Sequence, residues 1–263
     1  MSKIVTIISG KGGNGKTTVA VNVASCLKLL GKKTLLIDCG FGIRNDDIPL
    51  GVTTQLLYNL SDVITSSVSI EDAVISSEEA YVPDFLGASV SSCPEHFANQ
   101  FSRLLSNLSH RYDYIVIDTP SATGAEFDAC TSSAQTILAV SEPDVLSLQN
   151  TALCIKRVAE LTDKEIYFVL NKLSPSSAEN QYLEDIIDNV GAKLIGIIRQ
   201  DEYVPQSLET GDPIVRYDTF SGRELENITL RLDGQYVSYS PNLFAERFWG
   251  KKRFALKIHQ GGF

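Results

Sequence analysis

The run Ser9-Gly10-Lys11-Gly12-Gly13-Asn14-Gly15-Lys16-Thr17-Thr18 holds the residues whose types and spacing could do chemistry, and that chemistry is phosphate binding. Gly10, four residues, then Gly15-Lys16-Thr17 satisfies the Walker A pattern G-x-x-x-x-G-K-[ST]. Glycines let successive backbone N–H groups turn toward one point, and a helix opening at that point adds its partial positive charge. Gly12, Gly13, Asn14, Gly15, Lys16, Thr17 and Thr18 are therefore expected to cradle a nucleotide. Lys16 would reach the β- and γ-phosphates, and the Thr17 hydroxyl would hold Mg²⁺.

Such a loop works only between a strand and a helix, and the flanking sequence supplies both. An apolar run at 4–8 precedes it, and Val19, Val23, Leu27 and Leu30 follow at helical spacing. Further strand-like runs fall at 34–38, 84–88, 114–118, 136–140, 166–171 and 193–198. Helical patterns fall at 17–30, 97–108, 148–161 and 178–189. Several strands are continuous Val/Ile/Leu runs, which suit parallel strands covered on both faces. The alternation predicts an α/β fold: a doubly wound, mostly parallel sheet with helices on both faces, its ligand loops gathered at the carboxyl ends of the strands. Two of these strands end in a carboxylate, Asp38 and Asp118. Asp118, ahead of Thr119-Pro120, is the better acid for Mg²⁺, held directly or through water. Asn171-Lys172, at another strand end, could present an amide to a purine base.

The formal net charge of −9 makes the surface as a whole a poor match for nucleic acid. Residues 243–258 carry five Lys/Arg against one Glu, so a basic tail hangs on an acidic body. The tail places Phe244, Phe248, Trp249, Leu256 and Ile258 on one broad helical side with cations interleaved. That pattern suits an anionic membrane interface. The expected organisation is one domain over 1–234, a linker at 235–242 and the amphipathic tail at 243–263. Residues 224–232 could form a helix or part of a hairpin. Five cysteines without CxxC spacing, with neither a signal-peptide pattern nor an apolar run of membrane-span length, point to a reduced, cytoplasmic protein.

With these pieces assembled, the sequence resembles the MinD branch of the MinD/ParA ATPases, over nearly its whole length. The most specific element is Lys11, the extra lysine of a deviant Walker A loop. The resemblance implies that Lys11 crosses to the partner's phosphates in an ATP-bound homodimer, with ATP/ADP and Mg²⁺ as ligands and Lys11, Lys16 and Asp38 in the catalytic set. It also favours a last core helix ending near Gly234. Gly42-Ile43-Arg44-Asn45-Asp46-Asp47 is similar to the GLRNLD-like string of that branch. Asn171 and Asp201 would contact the purine, although Arg199 and Gln200 replace the proline usual before that Asp.

Other departures touch mechanism. The family's paired aspartates read Asp38-Cys39-Gly40 here, and Gly40 has no side chain to orient the attacking water. The segment after Asp118 is also short. Slow or partner-stimulated hydrolysis is the expectation. The resemblance further implies attachment of the tail to the inner face of the cell membrane and regulators of the division site as protein partners. Alternatives are a partition ATPase acting on DNA, against which the acidic body argues, and a non-hydrolysing ATP-dependent scaffold. A third is a metal-cluster carrier using Cys93 and Cys130.

Overall fold

The computed structural model describes residues 1–42, 45–120, 123–174 and 190–238. The expected helix at 178–189 and the tail at 243–263 lie outside the described residues. Seven strands form one sheet: β1 (Lys3–Ile8), β2 (Thr34–Asp38), β3 (Asp84–Leu86), β4 (Tyr114–Asp118), β5 (Thr136–Ser141), β6 (Glu165–Leu173) and β7 (Lys193–Arg199). Their order is β3-β2-β4-β1-β5-β6-β7, and every neighbouring pair is parallel. The strands predicted from apolar runs all form, with ends shifted by two residues or fewer.

The helices are α1 (Lys16–Leu29), α2 (Leu60–Ile64), α3 (Ile70–Ala73), α4 (Phe97–Leu108), α5 (Ala125–Ser132), α6 (Val145–Leu161), α7 (Tyr203–Thr210) and α8 (Phe220–Leu232). Side chains alternate across the sheet, so each strand feeds two cores. Val5, Ile7, Leu36, Val116 and Val140 pack with α1 and α8 on one face. Ile4, Ile37, Ile115 and Ile117 meet α4, while Ile8, Ile137 and Ala139 meet α6 on the other. Each fully buried aliphatic side chain contributes about 1.5–3 kcal/mol, which is why near-continuous Val/Ile/Leu strands end up central.

The last core helix expected to end near Gly234 forms as α8, ending at Leu232, with Leu225, Ile228 and Leu232 buried toward the sheet, and no hairpin forms at 224–232. β7 accepts it closely. A Cβ on Gly196 would come 2.3 Å from Ile228 Cγ1, so only glycine lets this helix sit so low. The same helix carries a buried ion pair, Arg231 Nη1 to Glu224 Oε1 at 3.1 Å. Arg231 also donates to the carbonyls of Ile195, Val237 and Ser238, which ties down the start of the 235–242 segment.

Burial holds the Glu224 carboxyl above its ordinary value, against the pull of Arg231. The folded chain thus keeps this proton to a higher pH than the unfolded chain. The stability it contributes is full below the unfolded value of about 4.3 and falls as pH rises through the folded one. Glu224→Gln removes that component. Urea midpoints compared between pH 4.5 and 7 should show a smaller decline in the variant, and equal declines would refute the assignment.

Candidate functional site

The order β4-β1-β5 puts the switch point of the sheet at β1, and the loop after β1 runs over the carboxyl ends of its neighbours. Gly13 and Gly15 adopt φ of +88° and +87°, a backbone that side chains resist. Gly15 is the residue before α1, and the first turn of that helix has neither a side-chain cap nor an acidic residue. Its free N–H groups and dipole therefore face the loop. Asn14 is buried, and Asn171 Nδ2 donates to its carbonyl at 2.9 Å. Lys172 Nζ donates to the Gly13 carbonyl and to Glu142 Oε1, both at 2.7 Å. β6 thus holds the phosphate loop from outside. Lys11, Gly12 and Gly13 form its exposed rim.

Across the loop stand the two strand-end acids. β2 and β4 pair in register, with Asp38 beside Asp118. Thr17 Oγ1 donates to Asp118 Oδ2 at 2.6 Å, and Lys16 Nζ donates to Asp118 Oδ1 at 2.8 Å and to the Thr119 carbonyl at 2.5 Å. Asp38 accepts from the Gly40 N–H at 2.7 Å and the Asn45 N–H at 3.1 Å. Burial and the Asp118 carboxylate push the Asp38 carboxyl up to about 6, against those two donors. Burial alone would lower the Lys16 ammonium, but the Asp118 carboxylate beside it, with Asp46 and Asp38 behind, holds it above its ordinary value.

A third acid, assigned no role from the sequence, joins them. One carboxylate oxygen each of Asp38, Asp46 and Asp118 lies within 4.8 Å of the others, and all three residues are buried. Asp46 is fully buried, and neither of its oxygens has a hydrogen-bond donor. Burial first, then the Asp118 and Asp38 carboxylates, hold its carboxyl well above the usual range. A proton lodged between Asp46 and Asp118, or a cation, is what makes this juxtaposition attractive. The donor set of carboxylates plus the Thr17 hydroxyl is the oxygen-rich set that Mg²⁺ prefers. Thr17 and Asp118 could therefore hold that ion, which would neutralise charge on a bound phosphate.

A cleft of about 950 Å³ opens beside the loop, lined among others by Thr18, Asn171, Lys172, Asp201, Tyr203 and Phe220. Both residues expected at a purine, Asn171 and Asp201, reach its wall. The Asn171 amide is engaged with the loop, and Asp201 accepts from the Tyr203 and Ser221 N–H groups. Cys26, Cys39, Cys130 and Cys154 are buried free thiols, and burial raises Cys26 and Cys154 to about 11. They behave as small apolar residues. Among the described residues no helix is long and apolar enough to cross a membrane.

Comparison with known proteins agrees with this geometry. The AAA domain family model matches residues 2–172. Septum site-determining protein MinD of Synechocystis is 32% identical over 91% of this chain and 92% of its own. That of Helicobacter pylori is 30% identical over 91% and 93%. Among solved structures, the MinC:MinD cell division protein complex of Aquifex aeolicus superposes with a TM-score of 0.82 at 27% identity, covering 91% of this chain and 99% of the other. MinD of Pyrococcus horikoshii complexed with Mg-ADP gives 0.77 at 25% identity, covering 89% and 96%. The phosphate loop, the two strand-end acids and these relationships along the chain make it a member of the MinD/ParA family of P-loop ATPases, on its MinD branch.

Proposed function

We propose that this chain is an ATP-gated dimer that attaches to the membrane and places proteins of the cell-division site. The observation that carries the reading is the arrangement of one loop. Lys16 and Thr17 converge on Asp118 inside it, while Lys11 stands exposed on its outer rim. An exposed lysine on the rim of a phosphate cradle, with the Asp144 carboxylate as a charged neighbour, can extend to the phosphates of a second copy. ATP and ADP with Mg²⁺ are the ligands: Lys16 exchanges its contact with Asp118 for the phosphates, and Thr17 and Asp118 face the cation. Asn171 and Asp201 lie along the base cleft. The relative that forms the MinC:MinD complex makes a division-site regulator the class of partner to expect.

Hydrolysis is slow in this reading. Gly40 contributes only its N–H, to Asp38, where a side chain would orient water. The segment 243–263 supplies the membrane contact, its aromatics entering the interface while each cation adds about 1 kcal/mol at an anionic surface. A single helix of this kind binds weakly, and a dimer presenting two gains by avidity. ATP would thereby control attachment at the inner face of the membrane.

Sedimentation with anionic vesicles, alongside mass measurement in solution, tests the whole chain of steps. Wild-type protein with ATP should dimerise and sediment, and with ADP do neither. Lys11→Ala should lose both. Its monomer should keep ATP affinity within about tenfold, since an exposed charge contributes about 1 kcal/mol. A chain lacking residues 244–263 should dimerise without sedimenting. A Lys11→Ala protein that dimerises with ATP as wild type does would overturn the reading, as would absence of vesicle binding in every condition.

A further inference from the structure

Three carboxylates and one ammonium meet at the ends of β2 and β4. Asp38, Asp46 and Asp118 are 1%, 0% and 1% exposed, and Lys16 is the cation paired with them. Asp118 has donors in Lys16 and Thr17, and Asp38 has the Gly40 and Asn45 N–H groups. Asp46 has none. A buried carboxyl with no donor and two carboxylates beside it is costly to leave ionised, and only a proton shared with a neighbouring acid or a bound cation makes the contact attractive.

The backbone nonetheless fixes it there. The Leu50 N–H donates to the Asp46 carbonyl at 3.2 Å, the Val52 N–H to the Asp47 carbonyl at 3.0 Å, and the Asn45 N–H to Asp38 itself. The segment is pinned on both sides of Asp46, and its carboxylate is aimed at the other two. One oxygen from each acid lies within 4.8 Å of the others, a span that a single divalent cation with oxygen ligands at about 2.1–2.5 Å can bridge. In the string that 42–47 resembles, the position of Asp46 is leucine. The acid is a departure from that string.

We propose that Asp46 is a direct ligand that turns the cation side of the nucleotide site into a divalent-cation site able to fill without nucleotide. It rests on reading Thr17 and Asp118 as the cation side of that site. In a site with fewer acids the phosphates bring much of the negative charge, and the cation arrives with them. Here the protein supplies three carboxylates by itself, and a divalent ion offsets the charge that Lys16 leaves uncompensated. Asp46 thereby couples metal occupancy to the loop at 45–52.

The test is titration of EDTA-treated, nucleotide-free full-length protein with Mn²⁺, read by electron paramagnetic resonance and by the thermal midpoint. Wild-type protein should take up one Mn²⁺ per chain and gain thermal stability. Asp46→Asn should bind Mn²⁺ about 10-fold more weakly or worse. Asp46→Leu should neither bind measurably nor be stabilised, and its metal-free midpoint should equal or exceed that of wild type, since it replaces a buried charge by an apolar side chain. Binding of a fluorescent ATP analogue in excess Mg²⁺ is followed in parallel. Wild-type protein that binds the analogue but takes up no Mn²⁺ alone overturns the proposal and leaves the nucleotide reading standing. Asp46→Asn protein with wild-type Mn²⁺ affinity overturns it as well. Asp46-dependent Mn²⁺ uptake without analogue binding supports it and removes the nucleotide reading instead.

Discussion

Lys16→Ala should weaken ATP binding by roughly 30-fold or more, the equivalent of the 2–5 kcal/mol lost when one member of a buried charge pair is truncated. The size of the effect follows from where the side chain lies. The side chain is 17% exposed, and its ammonium stands between the Asp118 carboxylate and the Thr119 carbonyl at the mouth of the loop. In so dry a place its attraction for a phosphate is screened far less than at a surface. The variant also removes the cation that offsets Asp38, Asp46 and Asp118, so the metal-free protein should unfold at a lower temperature and recover when Mn²⁺ is added. Lys16→Arg should rescue stability better than binding, because a planar guanidinium does not fit where a compact point charge is wanted. Fluorescent-nucleotide titration and thermal unfolding with and without Mn²⁺ check both halves. An affinity within threefold of wild type would exclude Lys16 as a phosphate ligand.

The parts of this site legible in the sequence share a physical cause. Continuous apolar runs become central strands whatever surrounds them, so 114–118 and 34–38 appear with the bounds their composition predicts, and each ends in its acid. The loop after β1 is equally legible, because glycines at fixed spacing before Lys16 and Thr17 allow few other uses. What was not legible depends on contacts distant in sequence. α5 buries Phe127, Ala129, Cys130 and Thr131 in eight residues, too few for helical periodicity to show. α7 ends at Gly211 in the left-handed conformation, a stop signal that was present but closed a run of only eight residues, too short for its periodicity to stand out. Asp46 belongs with these. Composition marks it as a polar turn residue, and only the pairing of β2 with β4 and the bond from Asn45 to Asp38 carry it into the site. Asn171 shows the converse. A strand-end amide suggested a ligand contact, and in the folded chain its Nδ2 donates to the loop itself at the Asn14 carbonyl.

Gly10→Ala should be the most damaging single-methyl change in the loop, and it separates the scaffold of the site from its chemistry. A Cβ at position 10 would lie 2.3 Å from the Asn150 carbonyl carbon and 2.4 Å from both the Asn150 oxygen and the Thr151 nitrogen. These are backbone atoms in the middle of α6, so relief requires moving a helix that is packed on β5 and β6. Overpacking costs typically 1–3 kcal/mol, and the upper end is expected where the obstacle is main chain. A loss of about 3 kcal/mol corresponds to roughly 6–12 °C in the unfolding midpoint of a domain this size. Gly15→Ala meets a different obstacle. Its Cβ would lie 2.1 Å from Asn171 Nδ2, the end of a side chain that can swing away, and its φ of +87° adds about 1–2 kcal/mol of backbone strain. Moving Asn171 releases the Asn14 carbonyl and loosens the cradle, so nucleotide affinity should fall more than stability does. Gly12→Ala meets nothing within 4 Å and should leave the midpoint unchanged. The order of thermal loss is therefore Gly10, then Gly15, then Gly12. If Gly10→Ala unfolds at the wild-type temperature, the close approach of β1's loop to α6 is not a feature of the folded protein.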